Sequence, residues 1–361
     1  MTPEIDRRFM ALALSLGRRG LGRTWPNPAV GCVLVRDGRI VGRGWTQPGG
    51  RPHAEREALA QAGAAARGAT AYVSLEPCAH HGRTSPCAEA LVAAGVARVV
   101  SALEDPDPRV AGRGHQILRD AGIEVLAGLM APEAEAAQIG FLTRIRQGRP
   151  MLTLKLATSF DGRIATASGE SRWITGPEAR HLTHALRARH DAILVGAGTV
   201  RADDPMLNVR GLGPVAQPVR IVASAGLDLP LGRLAASARE IPVWLVHGAE
   251  APTERRAAWD ATGARRIELP GAFDAAGMMA ALGAEGLTRV FCEGGGQLAA
   301  SLLTAGVVDE VVGFTAGLTL GAEGRASIGA LAEAPLGAFP RFRLAETRPV
   351  GADIYHRWTR A

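Results

Sequence analysis

Leu75-Glu76-Pro77-Cys78-Ala79-His80-His81-Gly82-Arg83-Thr84-Ser85-Pro86-Cys87, residues 75–87, decides how this chain is read once it is set beside His53-Ala54-Glu55. One imidazole and two thiolates, from His53, Cys78 and Cys87, can hold a zinc ion and leave a fourth position for water. The metal draws that water's pKa down to about 7, so hydroxide forms at neutral pH. Glu55, two residues past the histidine, is too close in sequence to be a comfortable fourth ligand and is well placed to shuttle a proton. The competing arrangement is a closed structural site completed by His80 or His81. It leaves Glu55 and Asn27 without a purpose.

The surrounding pattern places these ligands at the ends of elements. Residues 70–75 have strand character and stop at Glu76-Pro77-Cys78, whereas residues 53–66, rich in Ala, Glu and Leu, predict a helix with His53 in its first turn. Residues 29–35 and 40–45 flank Asp37-Gly38, a strong hairpin signal. Helices at 86–94, 112–121 and 132–145 alternate with strands at 98–103 and 123–127. A sheet covered by helices follows, an α/β sandwich. Both ligand groups sit at strand-to-helix junctions and can converge at one end of the sheet.

After Arg146-Gln147-Gly148-Arg149-Pro150, a plausible linker, a second α/β pattern begins. Strands are expected at 151–157, 192–196, 219–223, 243–246, 289–292, 307–314 and 354–358, with helices at 180–189 and 297–303. The expected domains are 1–147 and 148–361. Gly294-Gly295-Gly296 before a helix could cradle a pyrophosphate at the helix N-terminus or serve as a plain turn. Glu293 is an odd choice beside phosphate alone and suits hydroxyls or ring N–H groups of a second ligand.

A length of 361 residues favours two domains, and 47% hydrophobic residues with mixed charges favour packed ones. The charge balance, 41 basic against 35 acidic residues or +6, suits an arginine-rich enzyme or the attraction of an anionic substrate. No basic run of five or more supports nucleic-acid tracking. Four cysteines are too few for a disulfide framework; Cys32 and Cys292 lie in apolar strand patterns and read as buried small hydrophobes. Arg7-Arg8 could be mistaken for an export signal. However, Ile5, Phe9, Leu12 and Leu16 recur at helical spacing, and no apolar run reaches the ~18 residues of a membrane span. The expected location is the cytoplasm.

The His-Ala-Glu triplet and the Pro-Cys…Cys segment follow the pattern of zinc nucleobase deaminases, except that the second cysteine comes nine residues after the first instead of three. Together with Thr24-Trp25-Pro26-Asn27-Pro28-Ala29-Val30-Gly31, they resemble the deaminase half of the bifunctional riboflavin-biosynthesis deaminase–reductase family. The second half resembles that family's reductase through Lys155-Leu156-Ala157-Thr158-Ser159-Phe160-Asp161-Gly162-Arg163-Ile164-Ala165, Ser168-Gly169-Glu170-Ser171-Arg172-Trp173-Ile174-Thr175, Gly198-Thr199-Val200-Arg201-Ala202-Asp203-Asp204-Pro205 and Glu293-Gly294-Gly295-Gly296. The resemblance runs from about residue 5 to about residue 355 and is least distinctive over 225–285.

The resemblance implies a cytidine-deaminase-like α/β/α sandwich followed by a dihydrofolate-reductase-like α/β domain. It implies one Zn²⁺ per chain on His53, Cys78 and Cys87, with Glu55 catalytic and the Asn27 amide gripping the pyrimidine. Arg83 is either a solvated charge or a bidentate phosphate ligand, and the resemblance favours the second. Asp105 and Asp107 match a family segment at the edge of this site, where turn formation alone is also open. NADPH would be lined by Ala157, Trp173, Thr199, Asp203, Ser224 and the run Gly295, Gly296, Gln297, Leu298, Ala299, Ala300 and Ser301. Ser171, Arg187, Leu207 and Arg210 would line the sugar phosphate, and Glu293 the substrate. Lys155 and Asp203 are the candidate proton sources.

The implied activity is deamination of 2,5-diamino-6-ribosylamino-4(3H)-pyrimidinone 5′-phosphate, then NADPH-dependent reduction of its ribosyl group to ribityl. The expected partner is this small ribotide, with neither nucleic acid nor membrane; the oligomeric state stays open, a homo-oligomer included. A nucleic-acid-binding zinc deaminase with a non-catalytic second domain is the alternative, and a non-catalytic interaction protein is the third reading.

Overall fold

The computed structural model describes residues 2–81, 85–107 and 110–361, and the chain divides into two units, Met1–Gly148 and Arg149–Ala361. The first unit runs α1 (Pro3–Gly17), β1 (Gly31–Arg36), β2 (Arg39–Trp45), α2 (Ala54–Ala62), β3 (Thr70–Val73), α3 (Cys87–Ala94), β4 (Arg98–Ser101), α4 (Arg113–Asp120), β5 (Glu124–Ala127) and α5 (Ala131–Gln147). Its five strands lie in the order β2-β1-β3-β4-β5, with β1 antiparallel to both neighbours and β3, β4 and β5 parallel.

Strand alternation generates the layers. Cys32 and Leu34 of β1 face one cluster with Ala54, Ala58 and Leu91, whereas Val33 and Val35 face another with Phe9, Met10 and Leu14. One face of the sheet therefore carries α2 and α3, and the other carries α1. The hairpin turns through Asp37 and Gly38 at φ 50° and 73°, the double positive φ of a type I′ turn.

Helix α2 differs from expectation at both ends. His53 is its N-cap in extended conformation, φ −72° and ψ 159°, not part of its first turn. The helix ends at Ala62 because Gly63 adopts φ +51°, and the chain continues as the 3₁₀ turn Gly63–Ala66. The helix also lies unusually close to β2. A Cβ on Gly44 would run into the Ala54 carbonyl, and one on Gly42 into the Ala58 carbonyl. Two glycines thus set the depth of the helix start that bears His53 and Glu55.

The second unit comprises β6 (Met151–Ser159), β7 (Arg163–Ala165), α6 (Pro177–Arg187), β8 (Ala192–Gly196), α7 (Ala197–Asp203), β9 (Val219–Ala223), α8 (Arg233–Ala236), β10 (Val243–Gly248), α9 (Thr253–Thr262), β11 (Arg265–Leu269), α10 (Ala275–Ala284), β12 (Arg289–Cys292), α11 (Gly296–Thr304), β13 (Glu310–Ala316), β14 (Arg325–Ala326), β15 (Phe342–Val350) and β16 (Asp353–Arg360). Nine strands form one sheet in the order β11-β10-β9-β8-β12-β6-β13-β16-β15; β11 through β13 in that order run parallel, and β16 and β15 are antiparallel.

Near-continuous apolar strands such as Ala192–Gly196 are buried on both faces, as parallel strands must be. β12 inserts between β8 and β6, so α7 and α11 start from neighbouring strand ends. Ligands of open α/β sheets collect at such ends. Strands β11 and β15 and helices α7, α9 and α10 are additions to the sequence reading. Among the described residues, no helix is long and apolar enough to cross a membrane.

Gly44→Ala should lower the melting temperature, since overpacking costs about 1–3 kcal/mol, and should also lower zinc content. The displaced element is the start of α2. Melting curves with metal analysis check this; a destabilised variant with full zinc content would show that β2 does not set the position of His53.

Candidate active sites

In the first unit, His53 enters as the N-cap of α2, Cys87 is the first residue of α3, and Cys78 lies in the segment between β3 and α3. His53 Nδ1 lies 3.6 Å from Cys78 Sγ and 3.4 Å from Cys87 Sγ. Tetrahedral zinc with ordinary Zn–N and Zn–S bonds sets that edge at about 3.5 Å. The donor set therefore fits zinc in both spacing and chemistry. A hydrogen bond from Cys87 holds the Cys78 thiol down to about 4, and Cys87 is pushed far up by the same bond and by burial. Metal binding displaces such a proton.

Glu55 is 3% exposed in the first turn of α2. Burial above all, then the Cys78 thiolate, lifts its carboxyl to about 7, with His53 opposing. A cavity of about 400 Å³ opens over these groups and is lined also by Asn27, His80, Asp105, Asp107 and Phe141. Arg83 lies outside the described residues.

Glu76 was not singled out by the sequence reading, and the structure gives it a central place. Its buried Oε2 accepts the backbone N–H groups of Asp105 (3.1 Å) and Gly112 (3.0 Å), and Oε1 accepts that of His115 (3.2 Å). It thereby fixes the segment that carries Asp105 and Asp107 and caps the start of α4. Burial pushes Asp105 up to about 6, against the Asp107 N–H that it accepts. The one sequence signal for Glu76 was an acid at the end of an apolar strand.

In the second unit, a cavity of about 810 Å³ gathers Lys155, Ser171, Trp173, Arg187, Thr199, Asp203, Leu207, Arg210 and Glu293. Glu293 follows β12 directly. Arg187, the last residue of α6, donates from Nε to Glu293 Oε1 (2.5 Å) and from Nη2 to Oε2 (3.0 Å). Its Nη1 donates to the Asn208 carbonyl (2.8 Å). Lys155 Nζ lies 3.9 Å from Glu293. Burial opposes charge on Glu293, but Arg187 and Lys155 keep its pKa below the ordinary carboxylate value. Burial lowers the Lys155 pKa, and Arg187 adds to that while Glu293 resists.

The Trp173 indole is 65% exposed, with the Arg180 guanidinium 4.4 Å from its ring centre, and offers a face for a flat ring. Gly295 caps α11 with no side chain of its own, and its Cβ direction points towards Thr199 Oγ1 at 3.8 Å. A Cβ on Gly296 would press on the Ala326 carbonyl.

The cytidine and deoxycytidylate deaminase zinc-binding region matches residues 3–103, and the RibD C-terminal domain matches residues 150–356. Riboflavin biosynthesis protein RibD of Escherichia coli is 46% identical, covering 97% of this chain and 98% of its own. The chain belongs to the RibD family. RibD of Haemophilus influenzae is 44% identical over 98% of this chain and 97% of its own. The solved structure of Acinetobacter baumannii RibD, at 40% identity, covers 100% of both chains with a TM-score of 0.90. A diaminohydroxyphosphoribosylaminopyrimidine deaminase/5-amino-6-(5-phosphoribosylamino)uracil reductase from Thermotoga maritima, 31% identical, covers 99% of both with a TM-score of 0.88.

The expected fold class holds: a cytidine-deaminase-like sandwich precedes an α/β reductase domain of the RibD type. Within this RibD frame the anticipated residues separate by position. Ala157 pairs with Phe314 on β6, outside the lining of the large cavity, and Ser224 is buried just past β9. Along α11, Gln297 and Ser301 are exposed, Leu298 is half-buried, and Ala299 and Ala300 pack into the core. The side chains of those two alanines cannot reach a ligand, so any contact there goes through the first-turn N–H groups. His184, also unanticipated, lines the large cavity.

The Arg187–Glu293 pair gives a signed pH dependence. Because the folded-state pKa of Glu293 is depressed, its ionisation stabilises the fold above the unfolded value of ~4.3, and that stability is lost as pH falls through the folded value. Arg187→Gln should raise the Glu293 pKa and move the acid loss of melting temperature to higher pH. Melting curves taken from about pH 7 to about pH 3 test this, and superimposable profiles would remove the pair from the account.

Proposed function

We propose that this chain catalyses two successive steps of riboflavin biosynthesis on one pyrimidine ribotide. The first is hydrolytic deamination of 2,5-diamino-6-ribosylamino-4(3H)-pyrimidinone 5′-phosphate, and the second is NADPH-dependent reduction of the ribosyl group to ribityl. One observation carries the reading: a His-Cys-Cys cluster able to hold a metal beside a buried glutamate, and a cation-lined cavity around Glu293 and Lys155, occur in the same chain.

Zinc on His53, Cys78 and Cys87 supplies an acidified water at neutral pH. Glu55 accepts a proton from the attacking water and delivers it to the amino nitrogen, so that ammonia leaves and a ring carbonyl remains. Its raised pKa suits both directions of transfer. Asn27 offers an amide to the pyrimidine, Arg83 is assigned to its phosphate, and the Glu76-anchored Asp105 and Asp107 border the same cavity.

NADPH supplies the hydride for the second step. The open first turn of α11, Thr199 and the Trp173 face suit the pyrophosphate and a flat ring; Ala157, Asp203 and Ser224 are assigned to the same cofactor. Glu293, held ionised by Arg187, accepts from hydroxyl or ring N–H groups of the substrate. Lys155, whose pKa burial lowers, is the proton donor of choice when C1′ of the opened ribosyl imine is reduced and its nitrogen protonated. Arg210, with Ser171 and Leu207, receives the sugar phosphate. The division of labour assigns residues 1–147 to deamination and 148–361 to reduction, in a cytoplasmic enzyme whose cations serve these cavities instead of nucleic acid.

Glu55→Gln should abolish deamination by ~10²–10⁴-fold or more while retaining one zinc per chain, because the carboxylate moves protons and does not hold the metal. Metal analysis with a product assay checks this; parallel loss of zinc would make Glu55 a ligand. Fragments cut between Gly148 and Arg149 extend the test. The first should deaminate without NADPH, and the second should reduce pre-deaminated substrate without zinc. Reduction that stops on chelation would refute the division.

A further inference from the structure

Helix α6 presents His181, His184 and Arg187 to the large cavity at spacings of three, which aligns them on one face. Arg187 is largely committed. Of its five N–H groups, two go to Glu293 and one to the Asn208 carbonyl. Its geometry is that of a residue holding Glu293 in place. Arg210 enters the same cavity from the loop after α7, and its guanidinium has no hydrogen-bond or ion-pair partner among the described residues.

His184 connects these features. Its Nδ1 accepts the backbone N–H of Arg210 at 3.4 Å. An accepting Nδ1 carries no proton, so the ring hydrogen resides on Nε2. The neighbouring Asn208 carbonyl, shared with Arg187, also accepts weakly from the ring. The groups acting on the ring agree with a neutral form. Burial, then Arg187 and Arg210, drive its pKa down to about 4, with Glu293 and the Asn208 carbonyl opposing weakly. A neutral donor adds direction to anion recognition without forcing another cation into a crowded positive cavity.

We propose that His184 is a specificity-determining residue of the reductase site, holding the Arg210 backbone through Nδ1 and donating its Nε2–H to the phosphate of the ribotide; this rests on the reading of Arg210 as a phosphate ligand. The ring thus couples the position of the charged ligand to a second, uncharged contact on the same phosphate.

The test compares the ribotide with its 5′-dephosphorylated riboside as reductase substrates of the full chain. His184→Ala should raise KM for the ribotide about tenfold, the weight of one hydrogen bond to a charged group, with little change in kcat or in the riboside KM. His184→Gln should recover most of the loss, because its amide can accept at one atom and donate at the other. An unchanged ribotide KM overturns the proposal, as does an equal rise for both substrates. Arg210→Ala separates the two levels. If it leaves the preference for ribotide intact, the phosphate reading of Arg210 fails; if it abolishes the preference and His184→Ala does not, only the role of His184 fails.

A measurement on the unaltered protein guards against a variant that does not fold. In ¹⁵N-histidine spectra His184 should show the Nε2-protonated tautomer, and its Nε2 resonance should move when ribose 5-phosphate is added. An Nδ1-protonated ring, or an unmoved resonance at saturation, refutes the assignment.

Discussion

A carboxylate removed from water must be paired, hydrogen-bonded or protonated, and both candidate sites are arranged around that requirement. Three buried or nearly buried glutamates meet it in three ways. Glu293 is paired with Arg187 and approached by Lys155, and stays ionised. Glu76 takes three backbone N–H groups and becomes the anchor of a neighbouring segment. For Glu55, burial and the Cys78 thiolate outweigh the compensation from His53, its own backbone N–H and Cys87, so its proton is held more tightly than on an ordinary glutamate. The same residue type thus stays ionised, anchors a backbone segment or holds its proton, according to its neighbours.

Those neighbours are brought in by the sheets. In the first unit, the glycines of β2 admit α2 at short range, and the strand-to-helix segment after β3 returns Cys78 and Cys87 to the start of that helix. In the second unit, insertion of β12 between β8 and β6 brings Glu293 beside the strand that carries Lys155 and near the end of α6. Local sequence supplies the reactive groups, and strand order decides which of them meet.

That distinction explains what was legible beforehand. The convergence of His53, Cys78 and Cys87 beside Glu55 was readable because such chemistry is written in residue type and short spacing. Strand 192–196 was readable because a parallel strand buried on both faces leaves an uninterrupted hydrophobic run, and 219–223 and 289–292 depart from that pattern by a single arginine each, Arg220 and Arg289. β15 was not: it is largely exposed and lacks an apolar stripe. β11 begins with Arg265 and Arg266, whose charges disguise it. Glu76 and His184 were invisible for another reason. Their partners lie 29 to 39 and 26 residues away, and no local pattern announces a hydrogen bond to a distant backbone amide. The pairing of Arg187 with Glu293, 106 residues on, was hidden likewise.

The second cavity gathers Lys155, Arg172, Arg180, Arg187, Arg210 and Arg233 against only Asp203 and Glu293. Like charges crowded into a concave, partly desolvated space repel one another, so the cavity wall is a region of electrostatic frustration. Anionic ligands relieve that frustration as they enter. The domain is therefore more resistant to unfolding when occupied, by mass action and by charge neutralisation together, and its ligands act as part of its architecture. Sequence changes that made the domain more robust by thinning out these cations would weaken its grip on anions, a trade-off between resilience and catalysis built into the walls of one cavity.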